Sequence, residues 1–66
     1  MQVTAEVVGE STHELALDDD ATYGDLCRAV GYSPHEVAVL VDEQPVPDDR
    51  TVDAARVRVL RLLHGG

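Results

Sequence analysis

The chain has 66 residues, which is enough for one small domain and too short for a cleft walled by two subdomains. It has 13 acidic residues, five arginines and no lysine. The resulting net charge of −8 is opposite in sign to the basic surface of a nucleic-acid-binding protein. A single cysteine excludes an internal disulfide and a cysteine-based metal cage.

The first two predicted elements are strands that form a hairpin. Residues 3–8 alternate apolar and polar side chains, a pattern typical of a half-buried strand. Residues 9–12 are a predicted turn, and residues 13–17 form the second strand. The residues predicted to point inward are Val3, Ala5, Val7, Leu15 and Leu17.

A short helix is predicted to follow the hairpin and to begin at Thr22. Asp25 stands three residues on and makes a variant of the capping box. Gly31 occupies the position of a left-handed C-cap, and Pro34 prevents the helix from continuing. The predicted apolar stripe of the helix consists of Tyr23, Leu26, Cys27 and Val30.

The second half of the chain contains two further strands and one short edge segment. Residues 37–41 are rich in valine and predict a largely buried strand. Residues 45–47 contain two prolines, which cannot donate to a ladder, so they predict only an edge segment. Val52 is a predicted anchor in a polar loop, and residues 56 to about 62 form the last strand.

This element order predicts an α+β, two-layer domain. It has a mixed sheet of four to five strands, with the helix packed across one face. The predicted domain covers residues 1–62, and residues 63–66 form a flexible tail. The tail stops on Gly65 and Gly66, which lack a Cβ and make the thinnest peptide available.

Three stretches of the chain carry a family resemblance. They are LRLLHGG over residues 60–66, the strand 37–41 with DEQPV after it, and TYGDL over residues 22–26. With them, the whole chain resembles the ubiquitin-like β-grasp proteins. It is most similar to the small archaeal ubiquitin-like modifiers, which are related to the sulfur carriers of thiamine and molybdopterin synthesis. The acidic composition fits a haloarchaeal source.

The resemblance implies a protein on which enzymes act, rather than an enzyme with catalytic residues of its own. An adenylating enzyme of the ubiquitin-activating type would use ATP on the carboxylate of Gly66, and the chain itself would need no cofactor. The activated carboxylate would form an isopeptide bond with a target lysine. Alternatively, a persulfide sulfur donor would convert it to a thiocarboxylate for tRNA thiolation or for a cofactor precursor.

The resemblance also implies contact sites for partner proteins. Gly65, His64, Leu63 and Leu62 are the predicted tail residues that the activating enzyme recognises. Leu40 and Leu60 are expected on the sheet face opposite the helix, on neighbouring strands, where ubiquitin-like proteins dock partners. Arg58 lies beside them, and with Arg56 it either steers an acidic partner or pairs with surface carboxylates.

The remaining candidates have plain structural interpretations. Cys27 is predicted to be a small buried apolar residue. Residues 18–20 are three aspartates, which we interpret as solvated charge ahead of the helix. The histidines lack the spacing of metal ligands, so no metal is expected.

Three functions remain open from the sequence. The leading one is a protein modifier that also carries sulfur. The second is a dedicated sulfur carrier for thiamine or molybdopterin synthesis, without protein targets. The third is a non-covalent binding domain in which the Gly-Gly end is incidental. The absence of lysine excludes lysine-linked chains of the protein on itself.

The acidic composition also carries an expectation about salt and location. With 44% apolar residues in a strand pattern, we expect a folded domain with a carboxylate-rich surface. Molar salt screens such a surface, so stability should be lower in dilute buffer. Residues 1–8 show neither a cationic leader nor a long apolar run, so we expect a cytoplasmic protein that does not bind a membrane. The negative net charge predicts no direct binding of nucleic acid, and we expect a monomer.

Overall fold

The computed structural model describes residues 1–62. These residues form a mixed five-stranded sheet and one helix, which confirms the predicted α+β, β-grasp fold. The elements are β1 (Gln2–Val7), β2 (Ser11–Ala16), α1 (Tyr23–Ala29), β3 (Val37–Val41), β4 (Gln44–Val46) and β5 (Arg56–Arg61).

The strand order in the sheet is β2-β1-β5-β3-β4, so the last strand of the chain lies at the centre. β5 runs parallel to β1 and antiparallel to β3. The hairpin pairs β1–β2 and β3–β4 are antiparallel. Because β1 and β5 are parallel, their C-terminal ends meet at the same edge of the sheet.

The N-terminus of α1 is closed by the predicted capping box. The backbone N–H of Asp25 donates to Thr22 Oγ1 at 3.2 Å, and the backbone N–H of Thr22 donates to Asp25 Oδ2 at 3.0 Å. Two N–H groups that lack partners within the helix are thereby satisfied.

The C-terminus of α1 confirms Gly31 as the left-handed residue, with φ of +94°. The N–H of Gly31 donates to the carbonyl of Arg28, and the N–H of Tyr32 donates to that of Cys27, both at 3.0 Å. These two bonds form a Schellman motif. The motif fixes Tyr32 immediately beyond the helix end.

The core lies between α1 and one face of the sheet. Leu15, Leu17 and Val30 are only half-buried at its margin, because β2 is an edge strand and Val30 lies at the helix end. The core cluster contains the predicted anchor Val52. Its buried residues are Val3, Ala5, Val7, Tyr23, Leu26, Cys27, Val37, Val39, Val52, Val57 and Val59.

Several predicted strand boundaries were wrong: β1 covers Gln2–Val7 instead of residues 3–8, and β2 ends at Ala16 instead of residue 17. Two larger differences arise because the turns are tighter than expected. β2 begins at Ser11 instead of residue 13, since Gly9, with φ of +80°, lets the chain reverse within three residues. The edge strand β4 is shifted by one residue from the predicted 45–47. It begins directly after Asp42 and Glu43, whose φ angles of +51° and +66° make a two-residue hairpin turn.

Candidate functional site

The described part of the chain ends one residue beyond the central strand β5. Leu62, the last described residue, donates its backbone N–H to the carbonyl of Glu36 at 2.8 Å, which extends the pairing of β3 with β5. Its side chain is 46% exposed. The remaining predicted tail residues, Leu63, His64, Gly65 and Gly66, lie outside the described residues.

Three side chains from separate elements meet where the tail begins, and we call them the tail-base cluster: Glu10, Tyr32 and Arg61. The hydroxyl of Tyr32 donates to Glu10 Oε1 at 2.5 Å. Arg61 Nη1 donates to Glu10 Oε2 at 3.4 Å, and the guanidinium carbon lies 5.5 Å from the centre of the Tyr32 ring. Arg61 therefore makes an ion pair and a cation–π contact at once.

The charge states of the tail-base cluster reinforce these contacts. The hydrogen bond from Tyr32, together with the Arg61 guanidinium, holds the pKa of Glu10 below its ordinary value. The same hydrogen bond to the carboxylate raises the pKa of Tyr32. At neutral pH Glu10 is thus an ionised acceptor, and Tyr32 keeps its hydrogen as a donor.

The predicted partner residues share the sheet face opposite α1. In the pairing of β3 with β5, Leu40 lies opposite Arg58 and Ala38 lies opposite Leu60. We call these four residues the outer sheet face. Leu60 is 40% exposed, whereas Leu40 is half-buried. The face therefore offers apolar surface beside an arginine.

Arg58 also has a partner within the domain. Its Nε lies 3.7 Å from Glu6 Oε1, across the pairing of β1 with β5. Of the two roles considered for Arg58, steering an acidic partner or pairing with a surface carboxylate, this contact is the second. The Nε atom is shielded from solvent and makes no hydrogen bond within residues 1–62. Its side chain as a whole remains 43% exposed.

The structure places Cys27 and His13 as follows. Cys27 is buried against the core, and burial raises the pKa of its thiol, which disfavours the nucleophilic thiolate. His13 is hydrogen-bonded to Ser11 Oγ at 2.9 Å. Within residues 1–62 there is no cluster of three potential metal ligands. No helix in the same range is long and apolar enough to cross a membrane.

The family resemblance, together with alternation along the strands, predicted that Leu40 and Leu60 lie on the sheet face opposite the helix, but the sequence analysis missed the tail-base cluster. Glu10 is 22 residues from Tyr32 and 51 residues from Arg61 along the chain. No local pattern connects such distant positions. The parallel pairing of β1 with β5, which only the structure shows, brings the loop after β1 beside the end of β5.

Comparison with known proteins gives concordant results for sequence and structure. The family model for small archaeal modifier protein 2 matches residues 1–63. Small archaeal modifier protein 2 of Haloferax volcanii is 65% identical to this chain, and the match covers the full length of both. An uncharacterised protein of Archaeoglobus fulgidus is 28% identical, again over both full lengths.

A solved structure supports the same assignment. The crystal structure of the H. volcanii small archaeal modifier protein 2 superimposes with a TM-score of 0.77 at 64% identity, covering 97% of each chain. This identity is high enough for the likeness to extend beyond the fold. The chain therefore belongs to the family of small archaeal modifier protein 2, whose members are ubiquitin-like modifiers.

Proposed function

We propose that the carboxylate of Gly66 is the reactive group of this protein and that an enzyme of the ubiquitin-activating type adenylates it. The observation that supports this most directly is the position of Leu62. It is still hydrogen-bonded to Glu36 at the centre of the sheet, while the sequence continues for four more residues to a Gly-Gly end. The family membership of the chain points to the same role.

The chemistry of a terminal glycine suits this activation. A terminal carboxylate has a pKa of about 3.3–3.7, so it is ionised at neutral pH and can attack the α-phosphate of ATP, releasing pyrophosphate. The product is an acyl adenylate, a mixed anhydride from which AMP is readily displaced. Since Gly66 has no Cβ, an incoming nucleophile reaches the acyl carbon without steric obstruction.

Two fates of the adenylate are part of the proposal. Transfer to the ε-amine of a target lysine gives an isopeptide bond. Alternatively, the terminal sulfur of a persulfide displaces AMP, and a thiol then reduces the acyl disulfide to release a thiocarboxylate. That thiocarboxylate is the proposed sulfur donor for tRNA thiolation. The chain needs no cofactor of its own for either route, because the activating enzyme supplies the ATP site.

The two protein surfaces have distinct parts in the proposal. Residues 63–66 form the arm that enters the activating enzyme, together with the exposed side chain of Leu62. The outer sheet face, centred on Leu40, Leu60 and Arg58, docks the body of the domain. Its apolar patch beside an arginine suits a partner surface that offers apolar side chains and a carboxylate.

A search for the tryptic remnant tests the function directly. Trypsin cleaves after Arg61, so conjugated targets will carry Leu62-Leu63-His64-Gly65-Gly66 on modified lysines. A chain lacking Gly66 is the matched control and will leave no remnant. Intact-mass analysis of the free protein measures the thiocarboxylate, in which one carboxylate oxygen is replaced by sulfur.

The outcomes of this search separate the three functions. Remnants on lysines establish conjugation. The thiocarboxylate without any remnant supports a dedicated sulfur carrier. If neither species forms and deletion of Gly66 leaves tRNA thiolation and cofactor levels unchanged, a non-covalent binding domain is the correct description and the proposal fails.

A further inference from the structure

The tail-base cluster is built at the point where the proposed reactive arm leaves the domain. Glu10 belongs to the turn after β1, Tyr32 follows the helix, and Arg61 ends β5. The parallel pairing of β1 with β5 and the Schellman motif of α1 bring all three to one edge of the sheet. Residues from three separate parts of the fold thus hold the Arg61 side chain at the end of β5.

Stability does not account for these contacts. The side chains of Arg61 and Glu10 are 57% and 39% exposed, so water screens their attraction. Exposed ion pairs of this kind contribute little to the free energy of unfolding. None of the three residues belongs to the buried core between α1 and the sheet, although the ring of Tyr32 packs against its margin. The hydrogen bond and the ion pair at Glu10 therefore add little to the stability of the fold, and their effect is on the position of the Arg61 side chain.

The geometry constrains the chain at two consecutive residues. Arg61 is held through its side chain by Glu10 and Tyr32, and Leu62 is held through its backbone N–H by Glu36. Side chains alternate along a strand, so Arg61 points to the helix side while Leu60 lies on the outer sheet face. The cluster and the proposed docking face are consequently separate surfaces.

We infer that Glu10 and Tyr32 are positioning residues, which hold Arg61 and thereby fix the direction in which residues 63–66 approach the activating enzyme. This inference rests on the proposed function. Four residues span at most about 14 Å when extended, so the arm has little length with which to correct a wrong exit direction. If the direction of the chain at Arg61 and Leu62 is already fixed, less conformational entropy is lost when the arm enters a narrow channel of the enzyme.

ATP–pyrophosphate exchange with the activating enzyme of the same organism tests the inference. The variants are Glu10→Gln, Tyr32→Phe, Arg61→Gln and the double variant Glu10→Gln/Arg61→Gln. Asp49→Asn, which removes one charge from an exposed loop residue, is the control. We expect Glu10→Gln to raise the KM for the modifier about three- to tenfold with kcat unchanged, because the arm must be ordered during binding. Asp49→Asn should leave both constants unchanged.

The double variant separates positioning from direct contact. If Arg61 acts through its attachment to Glu10, the double variant will have the same KM as either single variant. If Arg61 instead touches the enzyme directly, the two effects will multiply, and the inference is overturned. Tyr32→Phe keeps the ring beneath Arg61 and loses only the hydrogen bond to Glu10, so its KM should lie between those of the wild type and Glu10→Gln.

Measurements on the free protein complete the test. We expect lower NMR order parameters for the Leu62 amide in Glu10→Gln than in the wild type, with an unchanged thermal midpoint. Unchanged order parameters, or a KM equal to that of the wild type, would overturn the inference. Absence of exchange with the wild-type chain would instead overturn the proposed function, so the two failures are distinguishable.

Discussion

Tyr23 donates its hydroxyl hydrogen to Asp53 Oδ1 at 2.7 Å, across 30 residues of chain. Tyr23 is the largest fully buried side chain of the core, whereas Asp53 is exposed. The backbone N–H of Asp53 donates back to the same hydroxyl at 3.3 Å. This pair therefore satisfies the one polar atom of a buried ring and ties the loop before β5 to the helix.

Replacing Tyr23 by Phe should lower the free energy of unfolding by about 1 kcal/mol, since the ring stays buried and one hydrogen bond is lost. Urea denaturation of the two proteins measures the difference. Tyr32→Phe is the matched control, because the Tyr32 hydroxyl lies at the surface and bonds an exposed carboxylate. Equal decreases in the free energy of unfolding in both variants would contradict a larger contribution from the Tyr23–Asp53 hydrogen bond.

Acid should destabilise the protein through Asp53. The Tyr23 hydroxyl and then the Arg50 guanidinium hold the pKa of Asp53 below its ordinary value of 3.8. A folded-state pKa below the unfolded value means that the unfolded chain binds more protons, so stability rises with pH. The contribution of Asp53 is present above pH 4 or so and is lost as the pH falls through its folded pKa.

Comparison of two variants isolates this effect from the general repulsion among carboxylates. Asp53→Asn and Asp49→Asn each remove one negative charge, but Asp49 makes no hydrogen bond or ion pair through its side chain within residues 1–62. Thermal midpoints between pH 6 and pH 2.5 should fall less steeply for Asp53→Asn than for Asp49→Asn. Parallel curves would argue against a titrating role for Asp53.

The turn between β3 and β4 should gain stability from glycine. Glu43 has a φ of +66°, in the left-handed region where a side chain is strained. Glu43→Gly should raise the free energy of unfolding by about 1 kcal/mol. Gly9, at φ of +80°, is the reciprocal control, and Gly9→Ala should lower that free energy by a similar amount. A loss of stability in Glu43→Gly would show that the Glu43 side chain has a stabilising contact.

Salt should raise the thermal midpoint of the protein. A net charge of −8 on 66 residues creates self-repulsion in the folded state. Molar salt shortens the Debye length to about 3 Å and removes most of it. Melting curves in dilute buffer and in multimolar KCl measure the change. An unchanged midpoint would count against adaptation to a salt-rich cytoplasm.

The outer sheet face should be required for transfer but not for folding. In the double variant Leu40→Asp/Leu60→Asp, two carboxylates interrupt the proposed apolar docking surface beside Arg58. Formation of the adenylate with the activating enzyme should fall at least tenfold, as expected for residues at the centre of an interface. His35→Asp, at an exposed position outside the sheet, is the control. Full activity of the double variant, with circular dichroism unchanged, would exclude this face as a docking surface.

Local patterns in the sequence predicted most of the secondary structure. Alternation predicted β1, the capping residues predicted both ends of α1, and a run of β-branched residues predicted β3 with its observed bounds. A turn with two successive left-handed residues was not predictable at Asp42 and Glu43, because aspartate adopts that region only occasionally and glutamate rarely does. Tertiary context forces these φ angles against the local preference.

Only part of the candidate functional site was predictable from the sequence. The placement of Leu40 and Leu60 follows from alternation once β3 and β5 are neighbours. The cluster of Glu10, Tyr32 and Arg61 depends on three long-range arrangements, and the composition of each segment carries no trace of them. The predicted role of residues 63–66 comes from sequence and family alone, since they lie outside the described residues.

The central position of β5 links the reactive arm to folding. During synthesis β5 emerges last, yet it must insert between β1 and β3 to complete the sheet. Such pairings between distant segments form late and slowly. A chain that has failed to close its sheet has the same last residues, but it lacks the hydrogen bond that holds Leu62 to Glu36. Under the proposed function, insertion of the final strand at the centre of the sheet would favour folded molecules as substrates for activation.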